Sequence, residues 1–247
     1  METKIRMAAV EYSNTKPLIY GFEQGLMANE ITLVTDYPAN IATMLIAGEV
    51  DIALVPIATL PMLPAYYVVT DYCIAAEGEV ASVCLFSDVP IERITTILMD
   101  YQSKTSVGLL KILLKNYWQV APTLLQANVG YESTISGTTA GLVIGDRAFA
   151  QRLTNRYVYD LGSAWLKYTQ MPIVFAVWVA NKVIDNKLLQ KINEVMGFGF
   201  THLPAIIAAN ASPHYDLHKY YTQNISYNLT KQKLLSIELY LQKLTEL

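Results

Sequence analysis

The feature that most constrains this chain is an alternation: short β-branched or aliphatic runs are separated by amphipathic stretches of helical period. Residues 5–12, 31–37, 51–58 and 67–76 read as strands. Residues 17–27 and 38–47 read as helices, each opened by a proline and the second closed by Gly48. A βαβα order of this kind favours an α/β fold built on a mainly parallel sheet covered on both faces. The run DIALVPIA is apolar at every position but its first, as a central strand requires.

A second, smaller set repeats the pattern. Strands are expected at 94–99, 123–129 and 140–144, a helix at 106–119, and smaller elements at 157–161 and 163–169. Two long apolar runs, 80–86 and 173–180, bracket this segment and read as twin strands crossing between two lobes. On that reading residues 1–86 plus 177–247 form the first lobe and 87–176 the second, with a hinge that closes on a ligand. The tail reads as helical, with Ser212 and Thr230 as N-caps and Pro213 at a first helical position.

Composition narrows the classes. With 247 residues, 53% hydrophobic and 16% charged, the chain can bury a large core. The mean hydropathy of +0.27 does not imply a membrane span, because the longest apolar run, 171–180, is about half the length a bilayer needs. No export signal is visible at the start, so Cys73 and Cys84 read as reduced core residues and the address as cytoplasmic. A net charge of −3 without a basic cluster argues against a nucleic-acid partner. A homo-oligomer is compatible with the sequence.

Candidate chemistry lies where strands give way to helices, the usual ligand position in open α/β sheets. Asn14, after the first strand, offers an amide that can grip a hydroxyl or carboxylate, or else caps the following helix. Ser103, Lys104, Thr105 and Ser106 combine three hydroxyls with a helix start suited to a carboxylate; simple capping needs only one of them. Ser82, without a nearby His or Asp, reads as a hydrogen-bond donor or a satisfied buried serine. Asp146 either caps a short helix, pairs with Arg147, or contacts ligand. His214 and His218 have a spacing compatible with zinc, but no Glu follows the first and His202 is remote, so no metal is expected. Tyr215, Tyr220 and Tyr221 read as packing. No glycine-rich phosphate loop is present, and no cofactor is expected.

Taken in order, YSNTKPLIYG, GEVDIALVP, GEVASVCLFS, SKTSVGLLKILL, LVIGDRA, YDLGSAW and PIVFAVWVA resemble the chorismate dehydratases of the futalosine route to menaquinone, over roughly residues 5–180. At Ser13 that family more often has leucine; the change leaves Asn14 in place and makes the cleft edge more polar. The resemblance implies a two-lobed periplasmic-binding-protein-like fold of type II, with mixed sheets and two crossing strands as hinge. It also implies a hydro-lyase acting on chorismate, with Asn14 and Ser82 at the reacting ring and Ser103, Thr105, Ser106 and Asp146 holding substrate. Two alternatives are the sister enzyme of that route, 1,4-dihydroxy-6-naphthoate synthase, and a non-catalytic solute-binding protein for small anions.

Overall fold

The computed structural model describes residues 4–247. The chain runs β1 (Ile5–Val10), α1 (Lys16–Glu23), β2 (Ile31–Asp36), α2 (Pro38–Ile46), β3 (Ile52–Pro56), β4 (Tyr67–Ala76), β5 (Val83–Ser87), β6 (Thr96–Met99) and α3 (Lys104–Leu113). It continues through β7 (Thr123–Gln126), β8 (Thr139–Ile144), α4 (Arg147–Gln151), β9 (Tyr157–Asp160), α5 (Leu161–Thr169) and β10 (Ile173–Ala180). The tail holds α6 (Asn186–Thr201), α7 (Leu203–Ala209), α8 (Leu217–Lys219), β11 (Ser226–Asn228) and α9 (Lys231–Thr245).

Two mixed sheets result. The first has the order β11-β4-β10-β3-β1-β2, the second β7-β6-β8-β5-β9. Their parallel parts come from the βα units: β1 pairs with β2 and β3, and β6 with β7 and β8. β10 runs antiparallel between β3 and β4, and β5 antiparallel between β8 and β9. Every residue of β3, β5 and β10 is buried, which accounts for sequences that are apolar at every position but Ser87.

Pairing places the crossing points differently from the sequence reading. β5 lies wholly in the second sheet and β10 wholly in the first, so a partition at residues 86 and 177 cuts through both strands. The chain instead crosses at 77–82, between β4 and β5, and returns at 170–172, between α5 and β10. Apolar strands this uniform carry no mark of which sheet they join; partner choice is a long-range property.

The tail departs further. Ser212 accepts from the His214 amide in a turn and caps no helix; α8 starts at Leu217 with Asp216 as its N-cap. Pro213 and His214 are therefore outside any helix, and the one-turn histidine spacing is not realised. Thr230 does cap α9, accepting from the Lys233 amide. β11 was not expected; it adds an edge strand to β4, and the buried Lys233 ammonium secures it by donating to Ser226 Oγ and the Asn228 carbonyl.

Candidate active site

In both sheets the carboxyl ends of the parallel strands face the same cleft. Residues at or just beyond the carboxyl ends of β1 (Tyr12, Asn14), β3 (Pro56), β6 (Ser103, Ser106) and β8 (Gly145) line one cavity. Because β5 is antiparallel to β8, its amino end reaches the same place and contributes Ser82 and Val83. The cavity offers about 50 Å³ to the centres of water-sized molecules, well below the roughly 300 Å³ and more of typical small-molecule sites. The cleft is narrow.

The segment after β1 is fixed from several sides. A 3₁₀ turn, Ser13–Thr15, leads into α1, and the Thr15 amide donates to the Tyr12 carbonyl. Tyr227 of β11 donates its hydroxyl to the Asn14 carbonyl at 2.9 Å, and Thr15 Oγ1 donates to Asn14 Oδ1 at 3.3 Å. Asn14 caps no helix, since α1 has no side-chain cap. α6 presses on this region so closely that a Cβ at Gly199 would sit 1.8 Å from the Pro17 carbonyl oxygen, a contact only glycine permits.

Ser82 is buried and ends the outward crossing. Asp160 accepts from the amides of Val80 (3.1 Å) and Ala81 (2.8 Å) while capping α5 through the Ser163 amide (2.9 Å). Ala81 is held at φ 63°, the left-handed region that an alanine rarely adopts. The Gly145 amide then donates to the Ser82 carbonyl at 2.8 Å, and the Tyr220 hydroxyl donates to Ser82 Oγ at 2.7 Å.

Ser103 is the N-cap of α3. Its Oγ accepts from the Ser106 amide at 3.1 Å, and its hydroxyl donates to Ser106 Oγ at 3.0 Å. The Ser106 side chain stays on the cavity wall with the first turn of α3 beneath it. Thr105 is not brought into the cavity lining: its Oγ1 accepts from the Ala58 amide at 3.2 Å, a bond between the two halves, and its carbonyl accepts from Tyr240 of α9. Lys104 reaches Met62 Sδ at 3.7 Å on the outer rim.

Asp146 lies on the rim and neither caps α4 nor pairs with Arg147. Protein packed on one side pushes its carboxyl above the ordinary value, against hydrogen bonding from Ser13 and the Lys16 charge. Arg147 instead pairs with the buried Asp100 (2.5 Å) and Glu132 (2.5 Å) and donates to Gln102 Oε1 at 2.7 Å. Gln102 Oε1 also accepts from the Tyr12 hydroxyl at 2.8 Å, joining the two halves across the cleft. Burial holds the Tyr12 phenol well above its ordinary value, so it acts as a donor. Its ring packs on Gly145, which is at φ 64° and whose Cβ would lie 3.2 Å from the ring.

Among the described residues lining the cavity, none carries a carboxylate, imidazole or amine. The arrangement can hold an anion with neutral donors and polarise it. Both cysteines are free and buried; burial pushes the Cys73 thiol up to about 12 and that of Cys84 well above its ordinary value. They are packing groups. Sequence reasoning missed Tyr12, Gln102 and Tyr220, which reach the site from outside the matched serine and asparagine positions; only the aromatic cluster at 215–221 signalled the last.

A model of the menaquinone biosynthesis family matches residues 5–246. The chain belongs to this family. It is 28% identical over 262 aligned residues to the chorismate dehydratase of Thermus thermophilus, covering 94% of this chain and 92% of that protein. The fold is that of the periplasmic binding proteins. The aliphatic sulphonate binding protein SsuA of Escherichia coli superposes with a TM-score of 0.67 at 14% identity, over 100% of this chain and 88% of that one. Protein AF1704 of Archaeoglobus fulgidus gives 0.71 at 12% identity, over 98% and 97%. Among the described residues no helix is long and apolar enough to cross a membrane.

Proposed function

We propose that this protein is a chorismate dehydratase, a cytoplasmic hydro-lyase that eliminates water from chorismate to give 3-[(1-carboxyvinyl)oxy]benzoate. The observation that carries the reading is the convergence of Asn14, Ser82, Ser103 and Ser106 on one cavity lined by neutral donors. The family match and the named relative agree with it.

The reaction removes the ring proton at the carbon bearing the enol ether and expels the neighbouring hydroxyl as water. The ring becomes aromatic, so the product supplies much of the driving force. What the protein must add is orientation and polarisation. In this scheme Asn14 and Ser82 hold the ring and polarise the departing hydroxyl. Ser103, Ser106 and the first amides of α3 receive a carboxylate, aided by the positive end of the helix dipole. With no basic side chain on the wall, the proton goes to the substrate's own enolpyruvyl carboxylate and leaves with the hydroxyl. Thr105 takes part by joining the two halves around the substrate, and Asp146 from the rim.

A cavity this narrow is too small for chorismate, so entry requires the halves to part about the crossings at 77–82 and 170–172. The test is the rate of chorismate consumption by Asn14→Ala and Ser82→Ala. Losses of about 100-fold or more in kcat are expected for each, the size seen when a donor to developing charge is removed. Near wild-type rates in both would remove these residues from the mechanism.

A further inference from the structure

Resting on that reading of the site, we infer that Tyr220 is a positioning residue: its hydroxyl donates to Ser82 and fixes the direction in which Ser82 offers its proton. Tyr220 is completely buried and lies at the start of a π-helical turn, Tyr220–Asn224, where the Ile225 amide bonds back to the Tyr220 carbonyl. Single π turns of this kind recur at functional sites because they re-aim a side chain that an α-helix would place elsewhere. The ring has little freedom. It meets Phe149 of α4 edge-on at 4.9 Å between centroids and Tyr215 edge-on at 6.2 Å.

The polar atoms form a directed chain. The phenol donates to Ser82 Oγ at 2.7 Å. A serine hydroxyl has one proton and two lone pairs. With one lone pair occupied by Tyr220, the proton is directed elsewhere, and its nearest protein acceptor, the Val80 carbonyl, is 3.5 Å away. The cavity side is left as the place where that proton finds a close partner. Each link also polarises the next, so the phenol strengthens Ser82 as a donor. Without it, Ser82 can turn its proton toward the interior and offer the substrate only a lone pair.

The experiment is a double-mutant cycle on chorismate turnover with wild type, Tyr220→Phe, Ser82→Ala and the double variant. Phenylalanine keeps the ring contacts and removes only the hydroxyl. Tyr220→Phe is expected to lower kcat about tenfold or more while KM changes less than about twofold, as for a group acting through another. In the Ser82→Ala background the same change is expected to cost nothing further. Wild-type kcat in Tyr220→Phe, or an equal loss in both backgrounds, overturns the proposal. The same cycle read by urea unfolding needs no substrate. There the two substitutions are expected to be non-additive, and additive losses would deny the link even if chorismate proved not to be the substrate. A wild-type protein inert toward chorismate that still shows the coupling would sink the activity alone.

Discussion

Ala81 stands in a conformation that costs an alanine about 1–2 kcal/mol, and it stands one residue before Ser82. What keeps it there is Asp160, whose two oxygens take the amides of Val80, Ala81 and Ser163. Arg152 adds a bond to the Ala81 carbonyl at 3.1 Å, and Asn224 one to the Glu79 carbonyl at 2.9 Å. Asp160→Ala is expected to destabilise the fold by about 3 kcal/mol, a lost cap plus two buried amides without partners, and to lower turnover by displacing Ser82. Urea unfolding and steady-state kinetics on one preparation check both; an unchanged unfolding midpoint contradicts the assignment. Asn14, Ser82 and the Ser103 cap were legible from the sequence because each sits at a strand-to-helix or turn-to-strand junction. Tyr220 was not, since its role depends on a π turn more than 130 residues beyond Ser82.

At the scale of elements, the βα units of each sheet followed from periodicity and proline placement, whereas the position of β5 and β10 did not. Both strands are almost wholly apolar, Ser87 at the end of β5 excepted, and nothing local says which neighbours they join. β11 was hidden for the opposite reason: three residues are too few to show a period. The strand ends also carry a pH signature. Asp51, at the entrance to β3, is buried, which alone would raise its carboxyl; bonds from Arg6 (2.9 Å to its amide, 3.0 Å to its guanidinium) and Lys182 (2.9 Å) outweigh this and hold it well below the usual carboxylate range. A lowered folded-state value means the contribution is complete above the unfolded-chain value near 4 and fades as pH falls through the folded one. Asp51→Asn is therefore expected to lose stability at pH 7 and to show a shallower decline below pH 4 than wild type. Thermal melts between pH 7 and pH 3 measure this, and parallel curves for the two proteins would rule it out.

For the whole molecule, closure is held by bonds between the halves: Tyr12 to Gln102 and the Ala58 amide to Thr105. The C-terminal helix spans both, with Tyr240 on the Thr105 carbonyl and Ser236 on that of Pro172. Removing one such bond shifts the open–closed balance by about 1 kcal/mol, close to fivefold. Tyr12→Phe is expected to weaken chorismate binding by about that factor, and to enlarge the radius of gyration in solution scattering; a value unchanged on both counts would show that this bond does not govern closure. The expectations for turnover and binding presuppose that a cleft of neutral donors dehydrates chorismate. The direct measurement is the ultraviolet spectrum of chorismate mixed with the pure protein. Loss of the ring diene with growth of an aromatic product is the predicted result. A spectrum that stays constant contradicts the account, and binding without spectral change would make the protein a receptor.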